Sequence, residues 1–175
     1  PEYKLGIEFN GSKFHATQNP IFEAKDRLYH RDKFILAKEK RVHLINIFDV
    51  DWDNNKDRIK MYLRSLLTKN KVVYARNCVI RKVDYETYSL FCNKYHLQGT
   101  SQKGMSKYIY GLYHNEELLS VMCFGNQRLK ENKEGYYELH RYCVKDNYIV
   151  VGGASKLHKH FERTHKIKEL ISYSD

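Results

Sequence analysis

The sequence predicts an α/β chain of two units that meet near residue 70. Two patterns carry this reading. Residues 1–70 alternate short apolar runs of strand length with segments of helical period, in the order strand, helix, strand, helix. Residues 71–175 run strand, helix, hairpin, strand, glycine turn, helix, strand.

Each element has its own signal. Residues 3–9 form an apolar run ending in Gly11, which predicts a strand. Gly11, Asn19 and Pro20 break residues 10–23 into a loop. Residues 24–40 are charge-rich and helical in period. Val42 to Phe48 is a short apolar run bounded by charge, the pattern of a buried strand. Asp53 is placed as a helix N-cap. Ile59, Leu63, Leu66 and Leu67 then line one face of a helix reaching about residue 68. Thr68 to Lys71 ends the first unit. Val72 to Tyr74 and Cys78 to Ile80 read as strands. Asp84 caps a helix over 85–95 with Tyr88, Phe91, Cys92 and Tyr95 on one side. Residues 108–113 and 118–124 form a hairpin around His114 to Glu117, and 136–144 is another strand. Gly152-Gly153-Ala154-Ser155 leads into a helix over 155–165, and Leu170 to Tyr173 is the last strand.

Composition narrows the class. Of 175 residues, 42% are hydrophobic and 14% aromatic, enough for a packed core rather than disorder. The chain lacks a run of eighteen apolar residues and a signal-peptide pattern, so the expectation is a soluble, cytoplasmic protein without a membrane partner. It starts at Pro1 rather than Met, which reads as a fragment or processed product. Cys78, Cys92, Cys123 and Cys143 form no C-x-x-C pair and read as reduced core thiols. The net charge is +10, from 31 Lys and Arg against 21 Asp and Glu. Residues 1–70 carry 14 against 10 and residues 71–175 carry 17 against 11. With 15 Tyr among these cations, nucleic acid is the leading partner class.

The chemistry centres on Glu8, between Ile7 and Phe9. Alternation allows it the wet face of an edge strand. Turned inward, it costs several kcal/mol unless paired, protonated or bound to a metal. On the first helix Leu28, Asp32, Ile35 and Leu36 fall at i, i+4, i+7 and i+8, which puts Asp32 on the apolar stripe facing the sheet; otherwise Asp32 pairs with Arg31 or Lys33. His30 lies on a neighbouring face. Glu8 and His15, with His30 or Asp32, make a carboxylate–imidazole cluster. Phosphodiester cleavage needs such types: carboxylates for a hard cation, and an imidazole as base or leaving-group acid. On the second unit's final helix, His158, His160 and His165 stand among Lys156, Lys159, Arg163, Lys166 and Lys168. His158 and His160 point to different faces, so a basic face for phosphate fits better than a metal site.

Ile7-Glu8-Phe9-Asn10-Gly11, then Phe14-His15, Tyr29-His30 and Lys33, then Leu44-Ile45-x-Ile47-Phe48 and Trp52, resemble phage-type homing endonucleases. These are similar to very-short-patch repair endonucleases, the EDxHD group. The resemblance implies a restriction-endonuclease-like core over residues 1–70, Mg²⁺-dependent cleavage of double-stranded DNA and the cytoplasm of a phage's host cell. It makes Glu8 the metal-binding strand carboxylate and His15 the site histidine, with His30 or Asp32 assisting. Asn10 stands where related nucleases often carry Lys, and Asn10 and Lys13 are placed as DNA contacts. The family's metal-binding Asp precedes the position equivalent to Pro1, so the core is expected to be N-terminally truncated and the nuclease incomplete.

In the second unit, Ile149-x-x-Gly152-x-Ala154 resembles the acyl-CoA loop of the N-acetyltransferase (GNAT) fold, in which helix N-terminal amides hold a pyrophosphate. Glu138-Leu139-His140-Arg141 and Ser172-Tyr173-Ser174-Asp175 resemble segments of phage Mom-type DNA-modification proteins, which have a GNAT-like core. That resemblance implies a GNAT-like domain over 71–175, truncated at its C-terminus. Gly152, Gly153 and Ala154 would be its cofactor loop, and Arg141 and Asp175 site residues. The alternative function is then acyl or carbamoyl transfer in DNA modification; a third is DNA binding without catalysis. Arg76, Arg81, Arg141, Lys156 and Lys159 are the further expected DNA contacts.

Overall fold

A computed structural model describes residues 3–12, 29–128 and 133–173 of the chain. The fold is mixed α/β, as the sequence predicts, and divides into two compact units, residues 1–60 and 61–175. Among the described residues, no helix is long and apolar enough to cross a membrane.

In the first unit, β1 (Leu5–Asn10) and β2 (His43–Phe48) pair in parallel, from Leu5 opposite His43 to Asn10 opposite Phe48. Parallel neighbours need a crossover, and helix α1 (Tyr29–Glu39) lies within it. Helix α2 (Asp49–Leu67) follows β2 directly and passes into the second unit, with non-helical backbone at Asn55. It begins four residues before the predicted cap at Asp53. The reason is Asp49, whose carboxylate accepts bonds from the amides of Ser12 and Val50 and from the Ser12 hydroxyl. Those bonds, led by the hydroxyl, hold its carboxyl below the usual range. Ile45, Ile47 and Ile59 are buried, and Phe9 meets Trp52 edge-on at 6.3 Å.

The second unit is built on a five-stranded sheet. It contains β3 (Lys71–Tyr74), β4 (Val79–Lys82), helix α3 (Tyr85–Tyr95), β5 (Tyr108–His114), β6 (Glu117–Asn126), β7 (Tyr136–Val144), β8 (Tyr148–Val151), helix α4 (Gly153–Thr164) and β9 (Glu169–Ser172). The sheet order is β4-β5-β6-β7-β9, antiparallel except for the parallel β7–β9 pair. β3 and β8 form a separate parallel pair. The predicted hairpin turns at Asn115 and Glu116, both at positive φ (48° and 62°), as a two-residue loop matched to strand twist requires. Asp84 caps α3, its carboxylate accepting from the Thr87 amide and hydroxyl, each at 2.8 Å.

Consecutive strand residues face opposite sides of the sheet. Ile109, Val121 and Cys123 pack with Tyr88, Phe91 and Cys92 of α3. Tyr110, Met122 and Phe124 pack with Leu157 and Phe161 of α4. The two helices therefore cover opposite faces. Phe124 stacks on Phe161 at 3.8 Å with the rings 5° from parallel. All four cysteines lie in the core as expected.

Candidate functional site

On β1 the alternation runs opposite to the edge-strand expectation. Ile7 and Phe9 are exposed, at 51% and 57%, while Glu8 turns inward with 15% of its side chain accessible. Lys33 of α1 donates to Glu8 Oε1 at 2.5 Å. The other oxygen, Oε2, is buried and meets no hydrogen-bond donor among the described residues. A buried acceptor without a donor costs about 1–3 kcal/mol. Glu8, Asp32, Lys33, Leu36, Lys40 and Leu44 are among the residues lining an open groove of about 820 Å³.

Asp32 reaches this groove from its rim, which corrects its predicted place on a buried stripe. Its side chain is 60% exposed and sits 3.4 Å from Arg31 Nε, and Ile35 and Leu36 are exposed beside it. The half-buried residues of this helix are His30 and Ala37, and Lys33, on the same face at i+3, is exposed and reaches Glu8. The half-buried ring of His30 lies 6.3 Å from Phe48. Asn10 is fully buried and donates to Asn46 Oδ1 at 3.1 Å, so it ties β1 to β2 and presents nothing to DNA. Lys13 and His15 lie outside the described residues, as does Asp175. Glu8 fits a cation as one ligand through its unpartnered oxygen. Among the described residues, no group of three His, Cys, Asp or Glu side chains completes a metal site around it or elsewhere.

In the second unit Gly152 takes φ +75° and ψ 9° ahead of α4, a left-handed backbone that favours glycine. A Cβ at Gly153 would fall 2.7 Å from the Tyr142 hydroxyl, so that approach of helix to sheet needs glycine. Ala154 follows within the first turn of α4. A hollow of about 650 Å³ opens beside this loop, lined by Arg76, Gly152, Lys156, Lys159 and Arg163 among others. Lys156 donates to the carbonyls of Ala75 and Cys78, at 2.8 and 2.6 Å. Arg76 lies over the Tyr74 ring. Arg81 makes a two-pronged pair with Glu116 at 2.7 and 2.6 Å and covers Tyr113; the pairing raises the guanidinium pKa and lowers that of the carboxyl. Arg141 donates to the carbonyls of Gly99 and His140, at 3.2 and 2.7 Å, which ties it to the main chain.

One polar cluster lies outside the predicted site residues. Glu138 has no exposure, yet its oxygens accept from Arg128 Nε at 2.6 Å and the Arg128 amide at 2.9 Å. His140 Nδ1 stands 3.3 Å from the same carboxylate. Burial pushes the His140 pKa down, and Arg128 and Arg141 add to that, against the opposing pull of Glu138. The sequence signal was Glu-x-His inside an apolar strand, which puts both side chains on one face.

Compared with family models and with curated proteins, the chain matches none.

Proposed function

We propose that the chain is a DNA endonuclease of the homing and very-short-patch-repair type, cutting phosphodiester bonds with a divalent metal held in part by Glu8. The observation that carries this reading is the division of labour at Glu8: one oxygen is taken by Lys33, and the other is buried and without a partner among the described residues. A carboxylate left in that state fits a hard cation. The parallel β1–β2 pair with its intervening helix is consistent with a restriction-endonuclease-like core. The charge of +10 fits a polyanionic substrate. Bound there, Mg²⁺ would polarise the scissile phosphate and lower the pKa of a water. Lys33 holds the Glu8 carboxylate in place. The assay is nicking of phage DNA in Mg²⁺ by this chain and by a form extended upstream of Pro1. Glu8→Gln is expected to cost about 100-fold or more in whichever form cuts, on the scale of a lost electrostatic group. It should also weaken Mn²⁺ binding measured calorimetrically. Equal nicking and equal Mn²⁺ binding by Glu8→Gln would reject the reading.

A second reading is favoured by the sheet of residues 79–172. Its antiparallel strands, its single parallel pair and the glycine turn before α4 support a GNAT-like reading. Under it the chain transfers an acyl or carbamoyl group in DNA modification, with Gly152, Gly153 and Ala154 at the cofactor pyrophosphate. Saturable acyl-CoA binding that disappears in Gly152→Trp is the expected result, and no saturable binding in the wild type removes this alternative.

A further inference from the structure

The hollow beside α4 continues into a second of about 390 Å³, lined by Arg81, Lys82, Tyr110, His160, Thr164 and His165; the two share Ile80 and His160. Together their lining holds Arg76, Lys156, Lys159, Arg163 and Lys82, and among the described residues no carboxylate lines either one. Glu162, on the same helix, is engaged with His158 at 3.4 Å. Cations gathered without counter-charges repel one another, which calls for an anionic partner.

The cations are also held in place. Lys156 is braced on two carbonyls, and Arg76 on Tyr74. Lys156, Lys159 and Arg163 recur at i, i+3 and i+7, one helical face. At about 1.5 Å per residue they cover roughly 10 Å of helix, against about 3.4 Å between successive phosphates of one strand along the duplex axis. The row thus matches a run of phosphates better than a single one. Tyr74, which is exposed, lines the first hollow and adds a hydroxyl of the kind that also contacts phosphate oxygens.

From this we infer that the two joined hollows along α4 form a docking groove for the sugar-phosphate backbone of duplex DNA, and that residues 61–175 grip the duplex without reading its sequence. The inference rests on the DNA partner of the proposed function but not on cleavage at Glu8.

The experiment measures binding of a short fluorescent duplex by anisotropy across a series of salt concentrations. It compares wild type, the groove triple Arg76→Gln, Lys159→Gln, Arg163→Gln, and a distant triple of equal charge change, Lys94→Gln, Lys103→Gln, Lys168→Gln. Thermal melting first establishes that each variant is folded. The groove triple is expected to lower the slope of log K against log salt by about 2.7, from about 0.9 per phosphate contact, and to bind at least roughly tenfold more weakly at physiological salt. The distant triple should keep most of the wild-type slope. Equal losses in both triples would mean that net charge alone holds the DNA, and the inference falls. Displacement of the duplex by stoichiometric acyl-CoA would give the groove to a small phosphate ligand, and the inference falls as well. The groove triple should bind Mn²⁺ like wild type, so failure of the groove and failure of the nuclease reading give different results.

Discussion

Glu8 and Glu138 are both carboxylates on apolar strands, and their surroundings treat them differently. Glu138 is enclosed, with the Arg128 side chain and amide on its two oxygens and His140 beside it. Glu8 keeps one oxygen buried and without a donor among the described residues, and that incompleteness makes it the reactive candidate. The enclosed cluster leads to a pH prediction. His140 has a folded-state pKa below its ordinary 6.5, foremost because of burial. Between the two values the unfolded chain binds the proton and the folded chain does not, so stability rises with pH there. Stability should thus fall as pH drops below about 6.5, by at most about 1.4 kcal/mol per pH unit for one proton. The lowered carboxyls of Asp49, Asp84, Glu116 and Glu117 act in a lower window, below their ordinary values of 3.8 to 4.5. Urea unfolding of wild type and His140→Gln at pH 7 and pH 5.5 separates these effects. The variant should lose the dependence in that range, and an unchanged dependence would mean that another group is responsible.

At the scale of elements, α4 does two jobs with two faces. Leu157 and Phe161 are fully buried on the sheet, while Lys156, Lys159 and Arg163 line the outer groove. Phe161 joins the packing of Phe124, Tyr108 and Tyr137. Phe161→Ala should cost about 4 kcal/mol, the scale of emptying an aromatic site in a core. Urea unfolding reads it directly, and a cost under about 1 kcal/mol would mean that α4 is not anchored by this stack. Much of this was legible. The i, i+4 spacing of Leu157 and Phe161 and the glycine pair before them locate the helix. The Asp84 cap and the hairpin at Asn115 and Glu116 are local chemistry, and they hold as read. Two features were not legible. β8 is four residues long with exposed Ile149 and Val151, and only its pairing with distant β3 makes it a strand. The start of α2 was missed because Asp49 is held by Ser12, thirty-seven positions away.

For the whole molecule, the charge of +10 fits a polyanionic partner but cannot say where it binds. The folded second unit gathers Arg76 and Lys82 from the segments around β4 with Lys156, Lys159 and Arg163 from α4, and the salt-slope experiment addresses that arrangement. The sequence by itself determined the mixed α/β class, most of the elements, and the short list of residues able to carry chemistry. Those follow from period, breakers and capping, which act within a few residues along the chain. Tertiary structure decided the rest. It turned Glu8 inward and Ile7 outward, chose Lys33 over Asp32 as the residue facing Glu8, and buried Asn10 against Asn46. Strand alternation offers two faces and helix period offers a stripe. Which face becomes the inside depends on what packs against it, and that is set by contacts between residues far apart in the chain.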